Sequence, residues 1–482
     1  MAEKNQWDSQ LSFLFAMIGA AVGLGNIWRF SYVVYTNGGG TFFIPYLIAI
    51  AILGVPFLIL EYGVGFSFKD SFSSIMKKIN PKLEFLSWIL LLLVFIILIY
   101  YTIILSWDLV YLASSFNFAW GNDVAVFFVR NVGGSSNLSN IGTFLIPTLI
   151  GALIIWLIVW FVSHRDLNDG IGLASKILIP FLFIIMAGIV IYALTLPGAN
   201  IGVQTLLQPD WGKLIDIHIW LAAFSQIIFS LSMGQAIALT YASYLPEGSK
   251  LTDNVLIVVF ANSSFEIFTA FGIFSILGFM SYTTGTPIIQ LISEGTGLIF
   301  MVFPMIFNLW GEIGHIVAPL LFLAILFAGV TSAVGIFEPM VSSLEEKLDW
   351  SRKKTVTFLC IIGVICSLIF TTGISSNLVR VVDEFVNEFG ILLLIAIQCI
   401  IFTWIYDVDS LMAVINENGR FKVGSLWKVI VKYVLPCFLI IIWLIGVYNL
   451  LMGLDPFEKI VYIVITVVVL LFSGILTKIP SD

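Results

Sequence analysis

Gly19-Ala20-Ala21-Val22-Gly23-Leu24-Gly25-Asn26-Ile27-Trp28-Arg29-Phe30 is the stretch on which the fold turns. It lies inside a long apolar run, 11–35, yet it carries three glycines, an amide and a guanidinium. Glycine weakens a helix and admits backbone angles that other residues avoid. Carbonyls freed by such a break are costly at membrane depth unless they line a cavity or bind something. Close helix packing through Gly19 and Gly23 is the plain alternative. Asn26 and Arg29 on the same segment favour an unwound, ligand-binding stretch, because an intramembrane charge marks function by default.

The surrounding sequence belongs in lipid. Of its residues 60% are hydrophobic and only 11% charged, where an ordinary soluble domain has about 25% charged. A spanning helix needs about 20 mostly apolar residues. Twelve runs qualify: 11–35, 41–67, 86–113, 141–162, 173–195, 218–244, 255–281, 315–344, 355–372, 378–405, 427–451 and 457–477. They predict an all-α membrane protein with twelve transmembrane helices. Segments 114–140, 197–216 and 283–312 read as structured loops, the last with a candidate helical hairpin, and 408–424 as a short amphipathic stretch. An even number of spans puts both termini on one side, which then holds 17 of the 22 Lys and Arg residues. Only Arg29, Arg130, Lys213, Arg380 and Lys459 fall opposite. The positive-inside rule makes the terminal side cytoplasmic.

Several function classes drop out. The net charge of −7 and the scattered basic residues offer no patch for nucleic acid. Four cysteines lie inside apolar runs and three histidines lie far apart, so neither disulfides nor a zinc site is expected. No serine–histidine or metal-ligand constellation points to an enzyme.

A second irregular stretch, Phe229-Ser230-Leu231-Ser232-Met233-Gly234-Gln235-Ala236, interrupts span six at its middle. Spans one and six are five apart, so two blocks of five fit an inverted repeat. Broken helices at matching positions of two halves point to a transporter site. In span eight, the Thr331 and Ser332 hydroxyls can serve a hard cation or simply bond back to their own helix. Asn262 and Glu266 sit one turn apart in span seven, and a carboxylate in the bilayer needs a partner or a proton.

These residues, in this order, resemble the neurotransmitter:sodium symporter family. The densest matches are Gly19–Phe30, Asn37–Tyr46, Phe229–Gly234, Thr240–Tyr244 and Phe327–Met340, within a likeness running from Trp7 to about Tyr406. The resemblance implies helices one and six broken, a 5+5 inverted repeat, and uptake of a neutral amino acid driven by two sodium ions. It implies three parts: a cytoplasmic segment 1–10, a transport core 11–406, and residues 407–482 with spans eleven and twelve. One sodium site would use the Ala21 carbonyl, Asn26, Ser230, Asn262 and the substrate carboxylate. The other would use carbonyls of Gly19, Val22 and Ala328 with the Thr331 and Ser332 hydroxyls. The substrate pocket would be lined by Ala21, Leu24, Gly25, Tyr101, Phe229, Ser230, Ser232, Gln235, Ser332 and Ile336, with Tyr101 donating to the carboxylate and Phe229 as outer lid.

The same resemblance makes Arg29 the outer gate cation, paired with Asp383 or Glu384. Lys4 and Trp7 resemble an inner latch, with Glu346 as the acid and Ser243 and Tyr244 holding it. Gly23 stands where amine-carrying relatives have an Asp, so the substrate should bring its own carboxylate. Gln235 stands where an aromatic is common, which speaks against a purely aliphatic preference. Glu266 stands where chloride-dependent relatives place a small polar residue, near Tyr46, Gln226 and Ser230, so a fixed carboxylate should replace chloride. Short termini and a short second outer loop without cysteines resemble prokaryotic members. A sodium-dependent sensor or a channel on the same fold is the rival reading. Lipid and a small amino acid are the expected partners; oligomeric state is left open.

Overall fold

The computed structural model describes residues 6–292 and 296–480. Among them the chain is helical throughout, with only two isolated bridges, Gly39 to Pro209 and Phe144 to Thr372. The principal helices are α1 (Gln10–Ala21), α2 (Leu24–Thr36), α3 (Gly40–Phe68), α4 (Pro81–Ser115), α5 (Ile146–Ser163), α6 (Asn168–Leu194), α7 (Ile217–Ser230), α8 (Ile237–Ser243), α9 (Leu251–Thr284), α10 (Gly311–Leu348), α11 (Arg352–Thr371), α12 (Ser375–Ile405), α13 (Ser425–Met452) and α14 (Pro456–Lys478). Ten of these are long and apolar enough to cross a membrane, eleven if the bent pair α1–α2 counts as one.

Every apolar run of the sequence is occupied by helix, but the bounds differ. Helices α4, α9 and α10 have 35, 34 and 38 residues, or more than about 50 Å at 1.5 Å per residue. A hydrocarbon core is only about 30 Å thick, so their polar ends continue as helix beyond it, where hydropathy gives no signal. Run 218–244 is two short helices rather than one. The loops carry helices of their own at Val124–Asn131, Ala199–Leu207 and Phe303–Leu309, and the amphipathic stretch folds at Val408–Ile415.

Burial ranks the helices. In α10 and α4 the most apolar window is 83% and 78% buried, against 28% in α13 and 22% in α14. Thus α4 and α10 form the centre, and α13 and α14 stand outside it. Two interruptions sit against this centre. Helices α1 and α2 are bent by 50° at Val22 and Gly23, both extended. Between α7 and α8, Ser232, Gly234 and Ala236 all take positive φ, at 49°, 71° and 61°. For the two non-glycine residues that geometry costs roughly 1–2 kcal/mol each, so the surroundings must hold it. Gln398 of α12 does so in part, its amide nitrogen donating to the Gly234 carbonyl at 2.9 Å.

Candidate substrate and ion site

The α1–α2 break opens a run of carbonyls, because a helix end leaves its last C=O groups without partners. Glycine allows the close approach that surrounds them. A Cβ on Gly19 would lie 2.9 Å from the Thr331 Cβ of α10. One on Gly23 would lie 3.0 Å from the Ser332 hydroxyl and 3.2 Å from the Tyr101 hydroxyl. One on Gly25 would run into the Phe229 ring at 2.3 Å. The broken segment is therefore held close to α4, α7 and α10 at these three positions, where a side chain would crowd its neighbours.

On one flank of the break, buried polar side chains from four helices converge. The Asn26 amide nitrogen donates to Asn262 Oδ1 at 2.8 Å, Glu266 Oε1 at 3.2 Å and Ser230 Oγ at 3.3 Å. The Asn26 amide oxygen accepts from the Gly23 backbone N–H at 2.8 Å, which caps the start of α2. Asn262 donates to Ser230 Oγ at 2.6 Å. The Glu266 carboxylate also accepts from the Tyr46 hydroxyl at 2.6 Å and from the Gln226 amide at 2.8 Å. All six side chains are buried.

On the other flank, α10 supplies hydroxyls to the end of α1. Ser332 Oγ donates to the Gly19 carbonyl at 3.0 Å and reaches those of Ala20 and Val22 at 3.4 Å each. Thr331 Oγ1 turns back onto its own helix, 3.0 Å from the carbonyls of Phe327 and Ala328. The structure thus brings Gly19, Val22, Ala328, Thr331 and Ser332 into one neighbourhood, with no carboxylate in this set. Among the described residues no group of three or more His, Cys, Asp and Glu side chains gathers. The oxygens beside the break are carbonyls, amides and hydroxyls, with the single Glu266 carboxylate on the Asn26 flank, and hard ions prefer oxygen donors.

The other residues expected to line a substrate pocket come from α1, α2, α4 and α10 and from the segment at and after the end of α7. The Leu24 backbone N–H donates to the Tyr101 hydroxyl at 3.4 Å, and Ser232 Oγ donates to the Ala20 carbonyl at 3.2 Å. Ala21, Leu24 and Ile336 are buried. Gln235 is buried too, and its amide oxygen has no protein donor. Phe229 remains exposed, with the Arg29 guanidinium 4.4 Å above its ring.

Arg29 also donates to Ser225 at 3.3 Å. The two acids at the start of span ten separate clearly. Asp383 turns inward, accepting from the Tyr100 hydroxyl at 2.6 Å and Asn387 at 2.9 Å. Glu384 turns outward and is chelated by Arg380 at 2.9 and 3.0 Å. At the other end, Trp7 is buried: its indole N–H donates to the Tyr241 carbonyl at 2.9 Å and its backbone N–H to the Tyr244 carbonyl at 3.0 Å. Next to it, Asp8 pairs with Lys176 at 3.0 Å and accepts from Ser12, whose hydroxyl, with that ammonium, holds the Asp8 carboxyl below the usual carboxylate range. Lys4 lies outside the described residues. Ser243 bonds the Thr240 carbonyl of its own helix at 2.7 Å, and Glu346 accepts from the Ser71 N–H at 3.0 Å.

The profile of the sodium:neurotransmitter symporter family matches residues 4–128 and 121–477. An uncharacterized sodium-dependent transporter of Methanocaldococcus jannaschii is 38% identical over 450 residues, 93% of this chain and 92% of the relative. The chain belongs to the sodium:neurotransmitter symporter family. The sodium-dependent serotonin transporter of Drosophila melanogaster is 28% identical over 92% of this chain and 76% of its own length. The crystal structure of MhsT in complex with L-phenylalanine superposes with a TM-score of 0.78 and 29% identity, over 92% of this chain and 99% of that one. As a member of this family the chain is a multi-pass membrane protein, and its activity is sodium-coupled transport.

Two features of this symporter escape a reading from sequence. Glu338, buried in α10, chelates Arg352 at 2.7 and 2.9 Å and accepts from the Tyr244 hydroxyl at 3.0 Å. This ties the residue above Trp7 to the start of α11. A Glu within an otherwise apolar run was the available signal. Lys347 pairs with Glu84 at 2.5 Å, both buried, joining the C-terminal end of α10 to the start of α4.

Proposed function

We propose that the chain carries a neutral amino acid into the cell with two sodium ions, by alternating access and without chloride. The observation that carries this reading is the convergence of Ser230 Oγ, Asn262 Oδ1 and Glu266 Oε1 on one amide nitrogen within 3.3 Å. Three buried oxygens around a polar N–H₂ group form a setting that a small hard cation can share once the Asn26 amide turns its oxygen inward. The first sodium would take Asn26, Ser230, Asn262, the Ala21 carbonyl and the substrate carboxylate. The second would take the Gly19, Val22 and Ala328 carbonyls with Thr331 and Ser332.

Crowding around Gly23 favours an amino acid over an amine. With the Tyr101 and Ser332 hydroxyls 3.2 and 3.0 Å from where a Cβ would stand, position 23 carries no acid to receive an amine. Tyr101 would donate to the substrate carboxylate, Phe229 would cover it, and Arg29 with Asp383 would close the outer side. A relative solved with L-phenylalanine bound supports an amino-acid substrate. The unpartnered amide oxygen of Gln235 favours a side chain that donates a hydrogen bond over a purely aliphatic one. Glu266, held by three donors, would supply the negative charge that a bound chloride provides elsewhere. On the inside, Trp7, Tyr244 and Glu338 would form the closed latch, with Ser243, Lys4 and Glu346 near it.

Topology follows the same reading: twelve spans, with α7 and α8 as a broken sixth, spans one to five and six to ten as inverted repeats within 11–406, and spans eleven and twelve in 407–482. Both termini would be cytoplasmic in the cell membrane. Binding of the twenty amino acids and their decarboxylated amines to purified protein, in sodium and in potassium, tests the proposal. Sodium-dependent binding of one or more amino acids is expected, with no competition by the matching amines. Equal binding in potassium would sink the ion assignment, and competing amines would sink the substrate class.

A further inference from the structure

A groove of about 350 Å³ runs along the outside of the bundle between α5 and α11, lined by Leu153, Trp156, Leu157 and Trp160 and, from α11, by one face that includes Thr357, Ile361 and Ile365. Its floor is fixed. Trp156 lies on Gly363, where a Cβ would be 2.2 Å from the indole, and its N–H donates to Ser367 at 2.9 Å. Trp160 donates to Thr357 at 3.0 Å. Its rims stay open, since Leu157, Ile361 and Ile365 are more than half exposed. Thr357 to Ile365 spans about 12 Å of helix, close to the depth of one leaflet of a core about 30 Å thick.

One end of this groove is basic. Lys353 and Lys354 precede Thr357 by four and three residues, so they continue its stripe. His164 follows Trp160 by four and packs on its ring at 4.7 Å. Arg165 lies 4.1 Å over Phe161, and Lys354 lies 3.8 Å over Trp350, so aromatic rings hold both cations at the rim. Arg352 is committed elsewhere, to Glu338 and to the Ser163 and Arg165 carbonyls. Among the described residues no carboxylate pairs with Arg165, Lys353 or Lys354, although exposed Asp166 is the chain neighbour of Arg165. An apolar channel of leaflet depth ending in three uncompensated cations has the charge and shape of a single anionic lipid.

We propose that the α5–α11 groove binds one anionic glycerophospholipid, an acyl chain lying on Trp156, Trp160 and Ile361 and the phosphate on Arg165, Lys353 and Lys354. The membrane itself is the source of this ligand. A free phosphate or headgroup would meet the cations without the groove and would bind far less well.

Native mass spectrometry of the full chain in detergent tests this, with phosphatidylglycerol and phosphatidylcholine of identical acyl chains as probes. The wild type should retain one phosphatidylglycerol in preference to phosphatidylcholine. A basic side chain near an anionic lipid surface is worth about fivefold in binding, so the K353Q/K354Q variant should lose that preference by roughly twentyfold. Filling the groove by Ile361→Trp, or from the other wall by Leu157→Trp, should lower retention of phosphatidylglycerol while an unaltered melting temperature reports an intact fold. Equal retention of the two lipids by the wild type would overturn the proposal. So would undiminished phosphatidylglycerol binding in K353Q/K354Q, or in both folded tryptophan variants.

Discussion

The two oxygen clusters beside the α1–α2 break are made of different material. The cluster around Asn26 consists of side chains from α2, α3, α7 and α9, and it contains the Glu266 carboxylate. The cluster around Ser332 consists of carbonyls at the end of α1 and two hydroxyls of α10. Its shape depends on glycine at position 19, where α1 and α10 nearly touch. The first therefore fixes charge as well as position. The second fixes position alone, so an ion there has no carboxylate of this chain in its set and should leave more readily. A side-chain cluster is broken by deleting one member, whereas a backbone cluster loses only one ligand when a hydroxyl is removed.

That contrast orders the expected effects. Asn26→Leu deletes the donor shared by Ser230, Asn262 and Glu266, and each buried polar group left unsatisfied costs about 1–3 kcal/mol. At about 1.4 kcal/mol per factor of ten, sodium-dependent amino-acid binding should fall by roughly a hundredfold or more in a scintillation proximity assay. A loss under tenfold would mean that the first cluster is not built from its side chains. Glu266→Ser comes next. Uptake by the wild type should be the same in chloride and in gluconate, while the variant should be slow in gluconate and recover in chloride. Wild-type uptake that stops without chloride would remove the carboxylate's assigned role.

The smallest effects belong to the second cluster. Ser332→Ala removes one neutral hydrogen-bonding ligand, worth about 1 kcal/mol, and should raise the sodium concentration for half-maximal binding about fivefold. Thr331→Ala should do less, because that hydroxyl bonds within its own helix. Titrations of the two variants side by side sharpen the comparison: an equal or larger shift for Thr331→Ala would mean that its bond to Phe327 and Ala328 is not its working state.

Much of this arrangement is legible in the sequence, for a physical reason. Lipid tolerates so few polar groups that Asn26, Ser230, Asn262, Glu266 and Thr331 stand out against an apolar background. The glycines at 19, 23 and 25 mark where backbone meets backbone or ring. What hydropathy does not carry is direction. Asp383 and Glu384 are adjacent and chemically alike, yet one faces Tyr100 and the other Arg380, because successive helical residues point about 100° apart. Helix ends beyond the hydrocarbon region are likewise silent, which is why α4 and α10 outrun their apolar runs. Pairs such as Glu338 with Arg352 join residues whose meeting is decided by packing rather than by local pattern.

Sodium-driven accumulation is the direct test. Purified protein should be reconstituted into liposomes loaded with potassium gluconate, and uptake of the amino acid that binds best should be followed after dilution into sodium gluconate. The account predicts accumulation above the external concentration that collapses when external potassium replaces sodium. Equilibration without accumulation, at the same rate in either cation, would contradict it.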